Sequence, residues 1–119
     1  MARTKGRFRL IREGEDVCEL ELAGSTGARM RGLLGRDGID GALLIRPATS
    51  IHTFGMRFAI DVAYLNGDLM VLRVDTMPPG KLGPWVLRSR AVLEAEAGAF
   101  ARWGLRPGDR LRCEVVPEP

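Results

Sequence analysis

The chain has 119 residues and a formal net charge of +3, and 45% of its residues are hydrophobic and 28% charged. This composition excludes a disordered protein, and the length suffices for one hydrophobic core but hardly for two. No stretch approaches the roughly 18 consecutive apolar residues that a membrane-spanning helix needs. We therefore expect a single domain over residues 1–119 that does not associate with a membrane.

The amino-terminal residues predict a flexible basic tail over residues 1–6. No apolar run follows these residues, so we expect no secretory signal and a cytoplasmic location. Beyond Glu13, acidic and basic residues interleave, and the seven aromatic residues (Phe 4, Trp 2, Tyr 1) do not alternate with basic ones. This pattern disfavours nucleic acid as a partner. We expect a monomer or a weak dimer whose partner is a small-molecule ligand.

The first predicted elements are a β-hairpin and a short helix. Residues 8–13 form a strand, and residues 18–22 alternate apolar and acidic side chains as a half-buried strand does. Ser25 or Thr26 then caps a helix, which Gly35 is placed to end. Its apolar residues follow at helical spacing, and a central glycine permits close packing on a neighbour. These residues are Met30, Leu33, Leu34 and Gly32.

The middle of the chain predicts buried strands around a hairpin. Residues 42–47 (ALLIRP) form a short buried strand. From residue 54 to residue 64 the even positions are apolar, which predicts either one long strand or two strands with a break near residues 55–59. Asn66-Gly67 is a strong hairpin signal and should pair the apolar segments on either side of it.

The last third begins with a loop, because residues 75–85 contain three prolines and two glycines. One or two strands follow in residues 86–98, then a helical turn at residues 99–104 and a final strand at residues 110–116. About eight short strands and two short helices predict a mainly β fold, a compact single-domain sandwich or barrel.

Polar side chains are concentrated in an otherwise apolar segment, residues 50–61. They include the only histidine, His52, together with Thr53, Arg57 and Asp61. Burying such groups without partners is costly, so they either surround a ligand cavity or are held by hydrogen bonds within the protein. The sequence leaves both interpretations open.

Four further residues are candidates for the same site. Met56 lies within the segment, although a core position is the simpler interpretation. Arg29 either supports an anion site or pairs with Glu94. Trp85, in the proline-rich loop, lies at the lip of a binding cleft or clamps the loop to the body.

Common catalytic and metal motifs do not occur: there is no GxGxxG, P-loop, GxSxG or CxxC. A single histidine excludes multi-histidine metal sites, and a site of His52 with carboxylates is the one metal alternative left. Cys18 and Cys113 have no close Cys or His in sequence, so we expect two ordinary thiols. We therefore expect no cofactor and no metal.

Three segments resemble motifs of one family, DUF192, also called UPF0127. They are RMRGLLGR (residues 29–36), IHTFGMRFAIDVAYL (51–65) and VLEAEAGAFARWGLRPGDRL (92–111), in the family's order. The resemblance covers about residues 17–116, with Ala59 where many members have proline. It implies a compact β-rich, sandwich-like domain and no established reaction. Many members are exported, but this chain shows no signal sequence.

Together these observations predict a ligand-binding or accessory module, with the polar segment 50–61 around the site. The alternative is a hydrolase or carbohydrate-active enzyme that uses His52 and Asp61 as an acid–base pair. The predicted ligand-binding residues are His52, Thr53, Met56, Arg57, Asp61, Arg29, Glu94 and Trp85.

Overall fold

A computed structural model describes residues 7–117. The tail predicted at residues 1–6 lies outside the described residues. Within them, no helix is long and apolar enough to cross a membrane. The strands are β1 (Arg7–Arg12), β2 (Glu15–Ala23), β3 (Ala42–Ile45), β4 (Ile60–Leu65), β5 (Val71–Met77), β6 (Ala91–Glu96) and β7 (Leu111–Val116). The helices are α1 (Thr26–Arg31) and α2 (Ala99–Trp103).

The seven strands form one sheet in the order β5-β4-β6-β3-β2-β1-β7. β2 and β3 run parallel, and the other neighbours are antiparallel. The sheet curls until its edge strands meet, where Met70 bridges Arg110 just before β5 and β7 begin. The predicted mainly β fold is confirmed. The described residues contain seven strands in place of about eight, because residues 86–98 contribute one strand, β6.

Each face of the sheet carries a hydrophobic core, because side chains alternate along the central strands. In β6, Leu93 packs in the first core with Phe100 of α2. Val92 points to the other face and packs in the second core with Leu33, which follows α1. All of β4 is buried as well, so β4 and β6 separate two apolar layers.

The predicted hairpin at Asn66-Gly67 is confirmed, and it joins β4 to β5. The Asn66 Oδ1 accepts hydrogen bonds from the backbone N–H groups of Asp68 and Met70, both at 2.9 Å. A side chain that binds its own backbone a few residues on is the reason asparagine favours turns.

Of the two alternatives for residues 54–64, the break is correct. A turn occupies Phe54 and Gly55, and β4 begins only at Ile60. The residues before β4 therefore leave the sheet and fold back over its second core, where Ile51 and Phe58 pack. This excursion forms one wall of the cavity described below.

Helix α1 begins as predicted but ends earlier. The Ser25 Oγ accepts a hydrogen bond from the Ala28 N–H at 3.1 Å. Gly32, not Gly35, ends the helix, with φ 49° and ψ −127°, a conformation that residues with a Cβ rarely adopt. The chain then turns and buries Leu33.

The two cysteines are free thiols, Cys18 buried and Cys113 half-buried. Burial raises the pKa of the Cys18 thiol to about 11. At neutral pH this thiol is therefore protonated and a weak nucleophile.

Candidate functional site

A cavity of about 320 Å³ lies over the second core. We call it the α1 cavity. Helix α1 and the turn after it form one wall, and the excursion through residues 47–56 forms the other. Ile45 of β3 and Val92 and Glu94 of β6 form its floor. Its volume is within the range of small-molecule sites, about 300–1,000 Å³.

Glu94 is the most unusual residue of the floor. Its side chain is only 2% exposed, and its neighbours across the sheet are Leu43 and Val62, both apolar. No donor among residues 7–117 forms a hydrogen bond with its buried Oε1. Removal from water raises the pKa of Glu94 to about 7, because desolvation disfavours the charged form.

Gly32 brings the end of α1 close to this carboxyl group. A Cβ atom at Gly32 would lie 3.6 Å from the Glu94 Oε1 and 3.7 Å from the Ile45 Cδ1. A side chain there would therefore occupy space beside the carboxyl group. The close approach expected of Gly32 from the sequence is thus made over the cavity floor.

Arg29 lines the α1 cavity on the helix side. Its Nε is buried, and no acceptor among the described residues bonds to it. Its two Nη atoms reach the Pro47 carbonyl oxygen and the Thr26 Oγ1 at 3.5 Å each, which is long for a hydrogen bond. The guanidinium group therefore retains unused donor capacity.

The ion pair between Arg29 and Glu94 does not form within the described part of the chain. Both residues nevertheless line the same cavity. The other alternative that the sequence left for Arg29, an anion site, stays a prediction.

His52 lies at the rim of the α1 cavity and is exposed. The Phe54 N–H donates a hydrogen bond to its Nδ1 at 3.2 Å, so the neutral ring carries its proton on Nε2. The ring stacks on Phe54 with centroids 5.0 Å apart. A backbone bridge to Leu82 fixes the chain at this position. His52 is thus oriented, with Nε2–H as a donor.

The rim of the cavity is apolar. Met30, Leu34 and Phe54 line it and are 78%, 43% and 51% exposed. Met56, predicted as a site residue, also lines the cavity and is half-buried against the second core. Gly55, which permits the turn beside Phe54, is the signal in the sequence for the exposure of Phe54.

Thr53 and Arg57 are not among the residues that line the α1 cavity. Thr53 is fully buried, and its Oγ1 donates to the Pro78 carbonyl oxygen at 2.7 Å and accepts from the Lys81 N–H at 2.9 Å. Arg57 is exposed and pairs with Asp37 at 3.1 Å. Thr53 therefore holds the 78–81 loop in place, and Arg57 lies on the surface.

Trp85 also lies outside the set of cavity residues, and its side chain is 71% exposed. It therefore neither forms the lip of this cavity nor is buried as a clamp. Its predicted role in ligand binding has no counterpart in the α1 cavity.

Asp61 lies on the opposite face of the sheet from the α1 cavity, because it alternates with Ile60 and Val62 of the second core. Its carboxylate accepts three hydrogen bonds from the protein. Of the two interpretations of the polar segment, Asp61 therefore fits the one in which hydrogen bonds within the protein hold the side chain. The donors are the Thr76 Oγ1 at 2.7 Å and the backbone N–H groups of Gly98 and Phe100 at 3.0 Å each. The α1 cavity thus contains His52 but not Asp61.

Within residues 7–117, no group of three or more His, Cys, Asp or Glu side chains is arranged to hold a metal ion. The cavity is lined instead by polar side chains of several kinds, those of Thr26, Arg29, Arg31, Ser50, His52 and Glu94. Such a set is suited to binding an organic molecule by hydrogen bonds and charge.

Two solved structures have the same fold. A protein from Sinorhizobium meliloti 1021, described provisionally as a transcription regulator, is 25% identical and superposes with a TM-score of 0.76, over 95% of this chain and 96% of that one. A protein of unknown function from Novosphingobium aromaticivorans is 18% identical with a TM-score of 0.68, over 89% of this chain and 83% of that one. No curated protein sequence matches significantly. The DUF192 family model, described as an uncharacterized ACR, matches residues 9–113.

Proposed function

The chain belongs to the DUF192 family, and from the α1 cavity we propose that it is a binding module for a small amphipathic molecule. The observation that carries this proposal is the carboxyl group of Glu94, which is 2% exposed in the cavity floor while its Oε1 has no hydrogen-bond partner among the described residues. A carboxyl group in a purely structural position would be expected to have donors from the protein.

A ligand can supply the hydrogen-bond partner that Glu94 lacks. Leaving a buried polar group without a hydrogen bond costs about 1–3 kcal/mol. A ligand that supplies a donor to Glu94 recovers part of this free energy on binding. Arg29 adds a second polar group with unused capacity, at the helix side of the same cavity.

The apolar rim indicates that the rest of the ligand is apolar. Met30, Leu34 and Phe54 present exposed apolar surface beside the polar groups. A ligand with an apolar body and a polar head would cover these side chains while its head reaches the floor. Burying apolar surface stabilises the complex by roughly 25 cal/mol per Å² before the costs of association.

A thermal-shift screen of small amphipathic molecules tests the proposal. A compound present at about 100 times its Kd should raise the Tm of the wild-type protein by roughly 10 °C. Arg29→Met and Glu94→Gln should each reduce the response. Arg57→Ala is the matched control, because Arg57 is an exposed arginine outside the cavity, and it should respond like the wild type.

Two outcomes would contradict the proposal. One is the absence of any stabilising compound in a broad screen. The other is an equal response in the wild-type protein and in both cavity variants, which would place the binding elsewhere on the surface.

The proposal does not include catalysis by His52 and Asp61, since Asp61 lies on the other face of the sheet with three donors. It also does not extend the description of the Sinorhizobium meliloti protein to this chain. Among residues 7–117, seven arginines form ion pairs with carboxylates, which reduces the positive charge available to phosphates. These arginines are Arg7, Arg9, Arg12, Arg36, Arg57, Arg73 and Arg112. The cytoplasmic location stays a prediction.

A further inference from the structure

We propose that the ligand of the α1 cavity is a zwitterion, with a carboxylate bound by Arg29, a protonated amine bound by Glu94 and an apolar body. Apolar amino acids are the simplest molecules of this class. The inference rests on the proposed binding function and specifies its ligand. It follows from two groups of opposite charge type that share one cavity without pairing with each other.

A ligand with a single charge satisfies only one of the two groups. A carboxylate without an amine pairs with Arg29 but leaves Glu94 without a donor. An amine without a carboxylate pairs with Glu94 but leaves the buried Nε–H of Arg29 without an acceptor. A zwitterion supplies both partners, and hydrogen bonds to charged groups are stronger than those between neutral groups.

The depth of the two groups sets the orientation of the ligand. Glu94 is 2% exposed in the floor, whereas Arg29 is half-buried in the helix wall. The amine therefore enters first and reaches the floor below Gly32, and the carboxylate lies against α1. The apolar body is then directed to the rim formed by Met30, Leu34 and Phe54.

Binding of an amine to Glu94 has a proton balance that can be measured. Burial raises the pKa of Glu94 to about 7, so near neutral pH part of the free protein carries a neutral carboxyl group. An ammonium group favours the carboxylate, so this proton leaves Glu94 for the buffer as the ion pair forms. No other bond is made or broken.

The titratable and charged groups around Glu94 come from α1, from the opposite wall of the cavity and from β4. Arg29 and Arg31 line the cavity from α1, and His52 lines it from the opposite wall. Burial raises the pKa of Tyr64 of β4 to about 12, and the charges of Asp75 and Glu94 add smaller contributions in the same direction. The flanking strands contribute apolar side chains at the positions paired with Glu94. The variant described next isolates the proton that Glu94 releases.

The experiment is isothermal titration calorimetry with a matched set of molecules. L-leucine carries both charges, L-leucinamide only the amine and 4-methylpentanoate only the carboxylate. L-methionine, L-phenylalanine and their β- and γ-amino homologues extend the set to other apolar bodies and to other separations of the two charges. At least one zwitterion should bind about tenfold more tightly than both of its single-charge analogues.

Two variants assign each charge to its residue. Glu94→Gln should lower the affinity for that zwitterion about tenfold and leave the affinity for its carboxylate-only analogue unchanged. Arg29→Met should lower the affinity for the carboxylate-only analogue and leave the affinity for the amine-only analogue unchanged. Repeating the wild-type titration at pH 7 in buffers of different ionisation enthalpy should reveal proton release, which Glu94→Gln abolishes. Arg57→Ala should bind like the wild type.

The proposal is overturned if every zwitterion binds no more tightly than one of its single-charge analogues, or if a zwitterion binds without proton release. It is also overturned if Glu94→Gln folds, as judged by its unfolding transition, and keeps the full preference for the zwitterion. In each of these cases another compound that binds in the cavity would still support the broader binding function. If no compound binds at all, both proposals fail.

Discussion

Asp61 and Glu94 are two buried carboxyl residues on neighbouring strands, and they differ in the hydrogen bonds that the protein gives them. Asp61 in β4 is 3% exposed and Glu94 in β6 is 2% exposed. Asp61 accepts three hydrogen bonds, whereas the Glu94 Oε1 accepts none from the described residues. Equal burial therefore does not imply an equal role.

The difference arises from the face of the sheet that each side chain occupies. Asp61 points to the α2 side, where the backbone N–H groups of Gly98 and Phe100 at the start of that helix are available as donors. Glu94 points to the α1 side, where it meets the cavity. Asp61 joins two elements of the fold, whereas the Glu94 Oε1 has no hydrogen-bond partner among the described residues.

The largest expected effect is that of removing Asp61. Asp61→Ala leaves three donors without their acceptor, so we expect the free energy of unfolding to fall by about 4 kcal/mol. Urea denaturation measures this change. Asp68→Ala, which removes an exposed carboxylate at the β4–β5 turn, should change stability by less than about 0.5 kcal/mol. A loss of less than about 1 kcal/mol for Asp61→Ala would contradict the structural role.

Glu94 should instead make stability depend on pH. Its pKa in the folded protein is about 7, above the ordinary value of 4.5, so between these values the folded protein keeps a proton that the unfolded chain has released. Its contribution to stability therefore falls as the pH rises from 4.5 to 7 and is constant above 7. The total change is about 3 kcal/mol.

Comparison with Glu94→Gln isolates this contribution from that of all other carboxylates. The free energy of unfolding of the wild type minus that of the variant should fall by about 3 kcal/mol between pH 4.5 and pH 7. Denaturation at a series of pH values measures it. A difference that is independent of pH would show that water or the protein solvates Glu94 normally, and the contrast with Asp61 would be lost.

Thr53 extends the comparison to the segment that was predicted to surround the site. Thr53→Val keeps the shape of the side chain but removes the hydroxyl that bonds Pro78 and Lys81. We expect a loss of about 2 kcal/mol in the free energy of unfolding, with ligand binding unchanged. A variant as stable as the wild type would mean that the 78–81 loop is held by other contacts.

The smallest expected effect is at Arg57. Its ion pair with Asp37 joins two exposed side chains, and such pairs contribute little to stability. Arg57→Ala should change the free energy of unfolding by less than about 0.5 kcal/mol. A larger loss in chemical denaturation would show that a surface arginine of this segment stabilises the fold after all.

Local patterns in the sequence were sufficient for much of the fold. The hairpin at Asn66 and the cap at Ser25 depend on side chains that bind backbone groups within four residues, so the sequence contains the whole interaction. Period-two alternation likewise located the strands, because burial on one face of a sheet selects every second residue. The break before Ile60 remained open, since an apolar even face is compatible with both alternatives.

The site was predicted only in part. Arg29, His52, Met56 and Glu94 line the α1 cavity, but the other four predicted residues lie elsewhere, and the exposed rim was not foreseen. The sequence does place polar residues among apolar ones, because that is a property of neighbours along the chain. It does not say which of them find partners.

That last question belongs to the tertiary structure. Asp61 is satisfied by N–H groups 37 and 39 residues further along the chain, and Glu94 lies below α1 only because β6 pairs between β3 and β4. The sequence by itself determined the strands, the turns and the positions of the costly polar groups, since these depend on local spacing. Only long-range strand pairing decided which carboxyl group caps a helix and which one faces a cavity.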